Sequence, residues 1–281
     1  MKTIANRFFA SVMTRTVFTT LTGAALVTVA IVPFNGEAKE RARDKPTVVL
    51  VHGAFAESSS WDGVTRRLLA KGYPVVAAAN PLRGVNSDAS YVGSVLGAIK
   101  GPVILVGHSY AGLIISSAAV GKRNVKALVY VAAFAPEVGE SAAVLSVKFP
   151  GSTLAAALAS PVPLPDGNVD LYIDRDKFPE QFAADVPVSN AQLMAATQRP
   201  ITEAALNEAA GAPAWKTIPS WFLYGSLDKN IPAVTLAFMA NRAHAKKVVA
   251  VKGASHVVMV SHPDALVELI DDANAAIRAR D

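Results

Sequence analysis

Six short apolar runs recur along the chain, and stretches with helical periodicity separate most of them. An uninterrupted run such as TVVLV at 47–51 is typical of a strand buried on both faces. Strands that alternate with helices indicate a parallel sheet covered by helices on both sides. We therefore predict an α/β fold with a mostly parallel six-stranded sheet. The strands are expected at 47–51, 74–79, 102–107, 125–134, 220–225 and 247–251, and the main helices at 61–71, 88–99, 110–121, 232–244 and 263–279.

The pattern weakens between the fourth and fifth runs. Residues 137–218 are rich in proline, contain scattered helical fragments and show no clear strand. A structureless loop of this length is uncommon inside a compact domain. We therefore predict that this segment is a helical cap over the ends of the strands, inserted into a single domain that spans residues 46–281.

The N-terminal segment has the features of a secretory signal. Residues 1–38 combine a basic start, an uncharged and mostly apolar run at 17–32, and small residues at Gly36 and Ala38, before an expected cut. The alternative is a retained anchor, but the run is short for a membrane span. We predict cleavage after Ala38, no stable membrane span afterwards, and a periplasmic or secreted protein. The charged stretch 39–45 is then a flexible leader.

Composition narrows the function class. Of 281 residues, 52% are hydrophobic and 17% charged, which excludes a disordered chain. The absence of cysteine excludes disulfides, thiolate metal sites and a cysteine nucleophile. The 27 basic and 22 acidic residues are interspersed, so no basic arm indicates a nucleic-acid partner.

The sharpest motif is GHSYAG at 107–112. It joins a hydrophobic strand to a helix rich in small residues, which is the context of a nucleophile elbow. Such a tight turn needs small residues around Ser109. Gly107 and Ala111 satisfy this need, although glycine is usual at the position of Ala111. Gly112 adds no side chain at the start of the helix. The alternative is a Gly-Ser turn without chemistry.

A serine nucleophile requires a base, and His256 is the candidate because it follows the last strand. His108 adjoins Ser109 in sequence, but its side chain is expected to point elsewhere. His262 is interpreted as a helix-start residue and His244 as a surface residue at a helix end. His256 is therefore the predicted base.

Asp228 is the candidate acid that orients the histidine, because it follows the fifth strand and completes the chain order serine, acid, histidine. The alternatives are that Asp228 only bonds its own turn, or that Glu137 is the acid. An oxyanion also needs donors. We expect the backbone amides of Tyr110 and Ala54 to supply them, with Phe55 as the alternative to Ala54.

These motifs resemble those of α/β-hydrolase-fold serine esterases, especially the small cap-bearing group that includes plant methyl esterases and hydroxynitrile lyases. The resemblance covers about residues 46–279 and rests on His52-Gly53-Ala54, the elbow at 107–112, Asp228 and Ser255-His256. It implies a Ser-His-Asp triad, no metal, no cofactor, and a cap that shapes specificity. Ala111 departs from the usual pattern.

The resemblance leaves the substrate open. Apolar residues could line an acyl or aryl pocket or could form the core of the cap. Phe55, Phe149, Phe178 and Trp215 are the candidate substrate-binding residues, and Leu154, Phe182 and Met194 share their character. Arg199 is interpreted as a helix-end cation rather than a substrate anchor.

The sequence thus predicts an exported hydrolase of small carboxylic esters that uses Ser109, His256 and Asp228. Two kinds of alternative remain open. One is another reaction at the same site, either cofactor-free haloperoxidase or perhydrolase chemistry or lyase chemistry. The other is a ligand-binding receptor with this fold, since fold alone does not imply function.

Overall fold

A computed structural model describes residues 45–279. The predicted signal peptide at 1–38 and the leader up to residue 44 lie outside these described residues. Lys45, assigned to the flexible leader, is instead docked on the domain. Its ammonium donates to the carbonyl oxygen of Lys71 at 2.8 Å and lies 4.1 Å from the centre of the Tyr73 ring. The folded domain therefore begins one residue earlier than expected.

The described elements follow the predicted alternation of strands and helices. In chain order the strands are β1 (Thr47–Val51), β2 (Val75–Ala78), β3 (Val103–His108), β4 (Val125–Val131), β5 (Val162–Pro163), β6 (Val169–Leu171), β7 (Ile201–Thr202), β8 (Ser220–Gly225) and β9 (Lys247–Val251). The α-helices are α1 (Asp62–Ala70), α2 (Val85–Ala98), α3 (Ala111–Ala118), α4 (Ala142–Ser146), α5 (Leu154–Ala157), α6 (Phe178–Phe182), α7 (Val188–Thr197), α8 (Glu203–Asn207), α9 (Ala233–Arg242), α10 (Val258–Ser261) and α11 (Pro263–Arg278). Short 3₁₀ turns lie at Ser58–Trp61 and Ala214–Lys216.

Six strands form one parallel sheet in the order β2-β1-β3-β4-β8-β9, which confirms the predicted fold class. The central strand β3 is buried at every position, as its unbroken apolar run predicts. The edge strand β9 is mostly exposed or half-buried. Because all six strands are parallel, the loops after β1, β3, β8 and β9 meet at one edge of the sheet.

Most boundaries differ by a few residues from the expected ones, and the end of β4 and the start of α2 are set by long-range contacts. β4 ends at Val131 because Ala132 adopts a positive φ of 44° and the chain then turns back over Ser109. α2 begins three residues earlier than expected. The carboxylate of Glu208, from a distant part of the chain, accepts the amide of Val85 at 2.5 Å and so completes the first turn.

The segment between β4 and β8 contains five short helices and a small antiparallel sheet, β5-β6-β7. The sequence predicted no strand here, which was wrong. Strands of two or three residues are too short to show a period in the sequence. Within residues 45–279, no helix has the length and apolar character needed to cross a membrane.

Candidate active site

Ser109 lies at the turn between β3 and α3, in a strained backbone conformation. Its φ is 56°, a value that L-residues adopt rarely and at a cost. Two amides hold the turn, because the Ser109 carbonyl accepts from Gly112 at 3.0 Å and from Phe134 at 3.2 Å. The side chain is almost buried, with 7% of the residue exposed. The fold therefore presents this hydroxyl at the carboxyl edge of the sheet.

Close packing explains which positions of the motif require glycine. A Cβ on Gly107 would lie 2.8 Å from the Ala111 carbonyl oxygen, and a Cβ on Gly112 would lie 1.9 Å from that of Phe134. Ala111 itself is fully buried, and its methyl group is accommodated in the turn. The departure from the usual pattern at 111 is therefore compatible with the turn, whereas Gly112 has no room for a side chain.

Asp228 and His256 form a buried hydrogen-bonded pair after β8 and β9. The Oδ2 atom of Asp228 lies 2.7 Å from Nδ1 of His256, and both side chains are almost completely buried. The other carboxylate oxygen, Oδ1, accepts the amides of Asn230 at 2.8 Å and Ile231 at 2.9 Å. Asp228 therefore does what both interpretations of the sequence expected, since one oxygen bonds its own turn and the other holds the histidine.

This pair determines which nitrogen of the neutral imidazole ring carries the proton. A carboxylate can only accept, so Nδ1 of His256 carries the proton and Nε2 is left as an acceptor. Nε2 is buried and has no hydrogen-bond partner among residues 45–279. Ser109 and His256 line the same cavity, although no hydrogen bond joins them in this structure. Such bonds are often long without substrate and shorten in the reacting complex.

Three backbone amides near Ser109 are the candidate donors to an oxyanion. A Cβ on Gly53 would lie 2.6 Å from the His108 carbonyl oxygen, so this glycine lets the loop after β1 approach the elbow. The amide of Phe55 already donates to the carbonyl of Arg199 at 2.9 Å. In the described part of the chain, the amides of Ala54 and Tyr110 make no such bond. Of the three candidate amides, those of Ala54 and Tyr110 are therefore without a partner in the described chain, whereas that of Phe55 is bonded.

Two further histidines are buried behind the site. His108 Nε2 donates to the His256 carbonyl oxygen at 3.2 Å, and the two rings lie 4.8 Å apart. His52 accepts the amide of Asn80 at 3.0 Å. Burial lowers the pKa of His52 and, to a greater extent, that of His108, where the nearby His256 acts in the same direction. Both rings are therefore neutral supports, and His108 holds the backbone of the His256 loop.

The cavity beside Ser109 has a volume of about 60 Å³ and a mostly apolar wall. Phe55, one of the predicted substrate-binding residues, lines this cavity, and so do Leu154 and Phe182 from the cap. Sequence reasoning missed several other residues of the wall. Those residues are Phe134, Ala142, Ala143, Ser146, Leu206, Asn230 and Ile231. None of these residues carried a signal of its own in the sequence, although Asn230 and Ile231 lie two and three residues after Asp228.

Three predicted substrate-binding residues do not line this cavity. Phe149 packs edge-on against Phe238 at 5.5 Å. Phe178 is fully buried behind Phe182. Trp215 donates its Nε1 proton to the Pro136 carbonyl at 2.9 Å. These aromatic side chains stabilise the cap and its junctions, because they bury apolar surface inside the protein.

The remaining candidates lie elsewhere. Glu137 pairs with Lys216 at 2.6 Å on the surface, and His244 is exposed. His262 contacts Ser261 at 2.9 Å. Arg199 pairs with Glu57 at 3.0 Å, which joins the cap to the loop after β1. Within residues 45–279, no cluster of three or more His, Asp or Glu side chains is arranged to hold a metal ion.

Known proteins resemble this chain over most of its length. A family model described as the alpha/beta hydrolase family matches residues 48–269. One relative, alpha/beta hydrolase nvfD of Aspergillus novofumigatus (strain IBT 16806), is 26% identical over 251 residues, which are 82% of this chain and 96% of the relative.

Solved structures share the fold. Polyneuridine aldehyde esterase matches with a TM-score of 0.71 and 19% identity, over 82% of this chain and 99% of that one. A pyrethroid hydrolase from Sphingobium faniae JZ-2 matches with a TM-score of 0.66 and 23% identity, over 82% of this chain and 98% of that one. A methylesterase from Arabidopsis matches with a TM-score of 0.67 and 17% identity, over 81% of this chain and 98% of that one.

Proposed function

The chain belongs to the α/β hydrolase family, and from this premise we propose that it hydrolyses small carboxylic esters through an acyl-enzyme intermediate. One observation carries the proposal. The Asp228–His256 bond leaves a buried acceptor nitrogen on the wall of the cavity that also contains Ser109. Three of the structural relatives are named an esterase, a methylesterase and a pyrethroid hydrolase, which favours ester chemistry.

In the proposed mechanism, Nε2 of His256 takes the Ser109 proton while the hydroxyl oxygen attacks the ester carbonyl. The amides of Ala54 and Tyr110 donate to the oxyanion, a type of interaction worth about 3 kcal/mol per donor in the transition state. His256 then protonates the leaving alcohol. A water molecule, deprotonated by the same nitrogen, releases the acid and restores Ser109. Asp228 orients the ring and stabilises its charged form throughout.

Replacement of the nucleophile tests this proposal. We expect Ser109→Ala to lower kcat for p-nitrophenyl butanoate by about 10³-fold or more, because no other described group can form the acyl-enzyme. Ser117→Ala, on the outer side of the same helix, is the matched control and should retain activity. Equal turnover by wild type and Ser109→Ala would favour a ligand-binding protein. Oxidation that requires peroxide, without hydrolysis, would favour the perhydrolase alternative.

We also propose that residues 1–38 direct export and are then removed, on the sequence features of this segment. The intact mass of the protein recovered from the periplasm or medium should correspond to a chain that starts at Lys39. Recovery of the full-length chain in the membrane fraction would contradict this proposal.

A further inference from the structure

Asn230 lies on the wall of the cavity beside Ser109 and is 3% exposed. Its amide donates to Asp228 at 2.8 Å, and its carbonyl accepts from the Ser152 hydroxyl at 2.9 Å. Its side-chain oxygen Oδ1 accepts from Gln181 at 2.7 Å. The remaining group, the Nδ2 amide, has no partner within residues 45–279.

The neighbours of Asn230 determine which side-chain atom is left free. Nε2 of Gln181 also lies 3.1 Å from the carbonyl oxygen of Lys229, which can only accept. Gln181 therefore donates through Nε2, and its Oε1 accepts from the Thr153 hydroxyl at 2.8 Å. A flipped Asn230 would place two NH₂ groups against each other. The free atom is consequently a donor, held in place by helix α6 of the cap.

Few residues on the cavity wall carry a buried polar atom without a partner in the described chain. Among the buried side-chain nitrogen and oxygen atoms of residues 45–279 that lack a partner, two belong to residues that line it. One is Nε2 of His256, which the proposed reaction uses. The other is Nδ2 of Asn230, which the reaction does not use. Buried donors without partners are rare and costly in folded proteins, so this one requires an explanation.

We propose that Asn230 is a specificity-determining residue whose Nδ2 amide donates to a second oxygen atom of the substrate, separate from the scissile carbonyl. The preferred substrates are then small esters with an ether or keto oxygen near the ester group, rather than plain alkyl esters. A cavity of about 60 Å³ accommodates only a short group beside Ser109. This inference rests on the proposed ester hydrolysis and identifies the class of ester.

Matched substrates test the inference. p-Nitrophenyl methoxyacetate and p-nitrophenyl butanoate differ by an oxygen in place of one methylene in the acyl group. 2-Methoxyethyl acetate and butyl acetate differ in the same way in the alcohol. In at least one pair, Asn230→Leu should lower the ratio of kcat/KM for the oxygen-containing ester to that for the alkyl ester by about threefold to tenfold. The difference in intrinsic reactivity between the two esters cancels, because the same ratio is compared between wild type and variant.

Two other variants make the result specific. Asn230→Asp keeps an oxygen for Gln181 but has no amide proton, so the ratio should fall as in the leucine variant. Asn207→Leu, on the exposed side of cap helix α8, should leave both ratios unchanged. Unchanged ratios in both substrate pairs for Asn230→Leu and Asn230→Asp would overturn the inference.

A binding measurement separates failure of this inference from failure of the proposed hydrolysis. In Ser109→Ala, which should not turn over esters, methyl methoxyacetate should raise Tm more than methyl butanoate does. The added Asn230→Leu change should abolish that difference. Equal Tm shifts for the two esters in Ser109→Ala would overturn the role of Asn230, whatever the turnover of the wild type.

Discussion

The parallel sheet and the cap that covers it are stabilised in different ways. In the sheet, strands such as β1 and β3 are buried apolar runs, and each strand pairs with its neighbours over several residues. In the cap, no helix exceeds ten residues and no strand exceeds three. Polar side chains join the cap to the sheet, as in the contacts of Arg83 with Asp170 and of Glu57 with Arg199.

In the proposed function, the sheet carries the reacting groups and the cap shapes the cavity beside them. Ser109, Asp228 and His256 all follow strands of the sheet, where close packing allows little movement. The cap contributes apolar wall residues such as Leu154 and Phe182, and it orients Asn230 through Gln181. We therefore expect changes in the sheet to affect catalysis and folding strongly, and changes in the cap contacts to have modest effects. The following predictions test that expectation, from the largest effect to the smallest.

The largest effect is expected from Asp228→Asn, which should lower kcat by about 10⁴-fold. An amide cannot hold His256 in the tautomer that leaves Nε2 free to accept a proton. Hydrolysis of p-nitrophenyl butanoate measures this change. Glu137→Gln is the control, because Glu137 pairs with Lys216 on the surface, and its kcat should remain within about twofold of wild type. A larger loss in Glu137→Gln would contradict the assignment of the acid.

The second prediction compares two glycines. Gly112→Ala should lower the free energy of unfolding by about 3 kcal/mol, because the new Cβ would lie 1.9 Å from the Phe134 carbonyl oxygen. In Gly211→Ala, in the cap, the new Cβ would have no neighbouring atom within 4 Å. This change should alter the free energy of unfolding by less than about 0.5 kcal/mol. Urea denaturation of both variants measures the difference. Similar values would show that the elbow relaxes as readily as the cap.

The third prediction concerns stability at acid pH. Burial lowers the pKa of both His52 and His108, so each binds a proton less readily in the folded chain than in the unfolded chain. The unfolded state then binds more protons, and the free energy of unfolding falls as the pH drops below about 6.5, by up to about 1.4 kcal/mol per pH unit for each ring. Unfolding curves at several pH values between 7.5 and 5 measure this loss.

Variants assign that loss to the buried rings. His108→Gln should reduce the loss of stability at low pH, while His244→Gln, at an exposed position, should leave it unchanged. An identical pH dependence in wild type and His108→Gln would contradict the assignment of a neutral, buried His108.

The smallest effect is expected at the junction of cap and sheet. The Glu57–Arg199 pair is about one third exposed on each side, so solvent screens it. A double-mutant cycle with Glu57→Gln and Arg199→Met should give a coupling of about 0.2–1 kcal/mol that shrinks at high salt. A coupling well above this range would show that the junction is as rigid as the sheet.

The wall of the cavity beside Ser109 illustrates the limit of prediction from the sequence. Phe149, Phe178 and Trp215 have the apolar character of pocket residues, yet the structure places all three in packing contacts away from Ser109. Composition cannot distinguish the core of an insertion from the lining of a cavity, because both bury apolar surface. Asn230 had the opposite character, and nothing in its local pattern indicated that it lies on the cavity wall.

The sequence alone determined the six strands, their parallel pairing and the family, because buried parallel strands need unbroken apolar runs and a strand-to-helix elbow needs small residues at fixed positions. It also located Ser109, Asp228 and His256 at the ends of strands. Only the tertiary structure decided which of the candidate amides are bonded, which aromatic residues line the cavity, and that Nδ2 of Asn230 has no partner within residues 45–279. These properties depend on contacts between residues far apart in the chain, which no local pattern records.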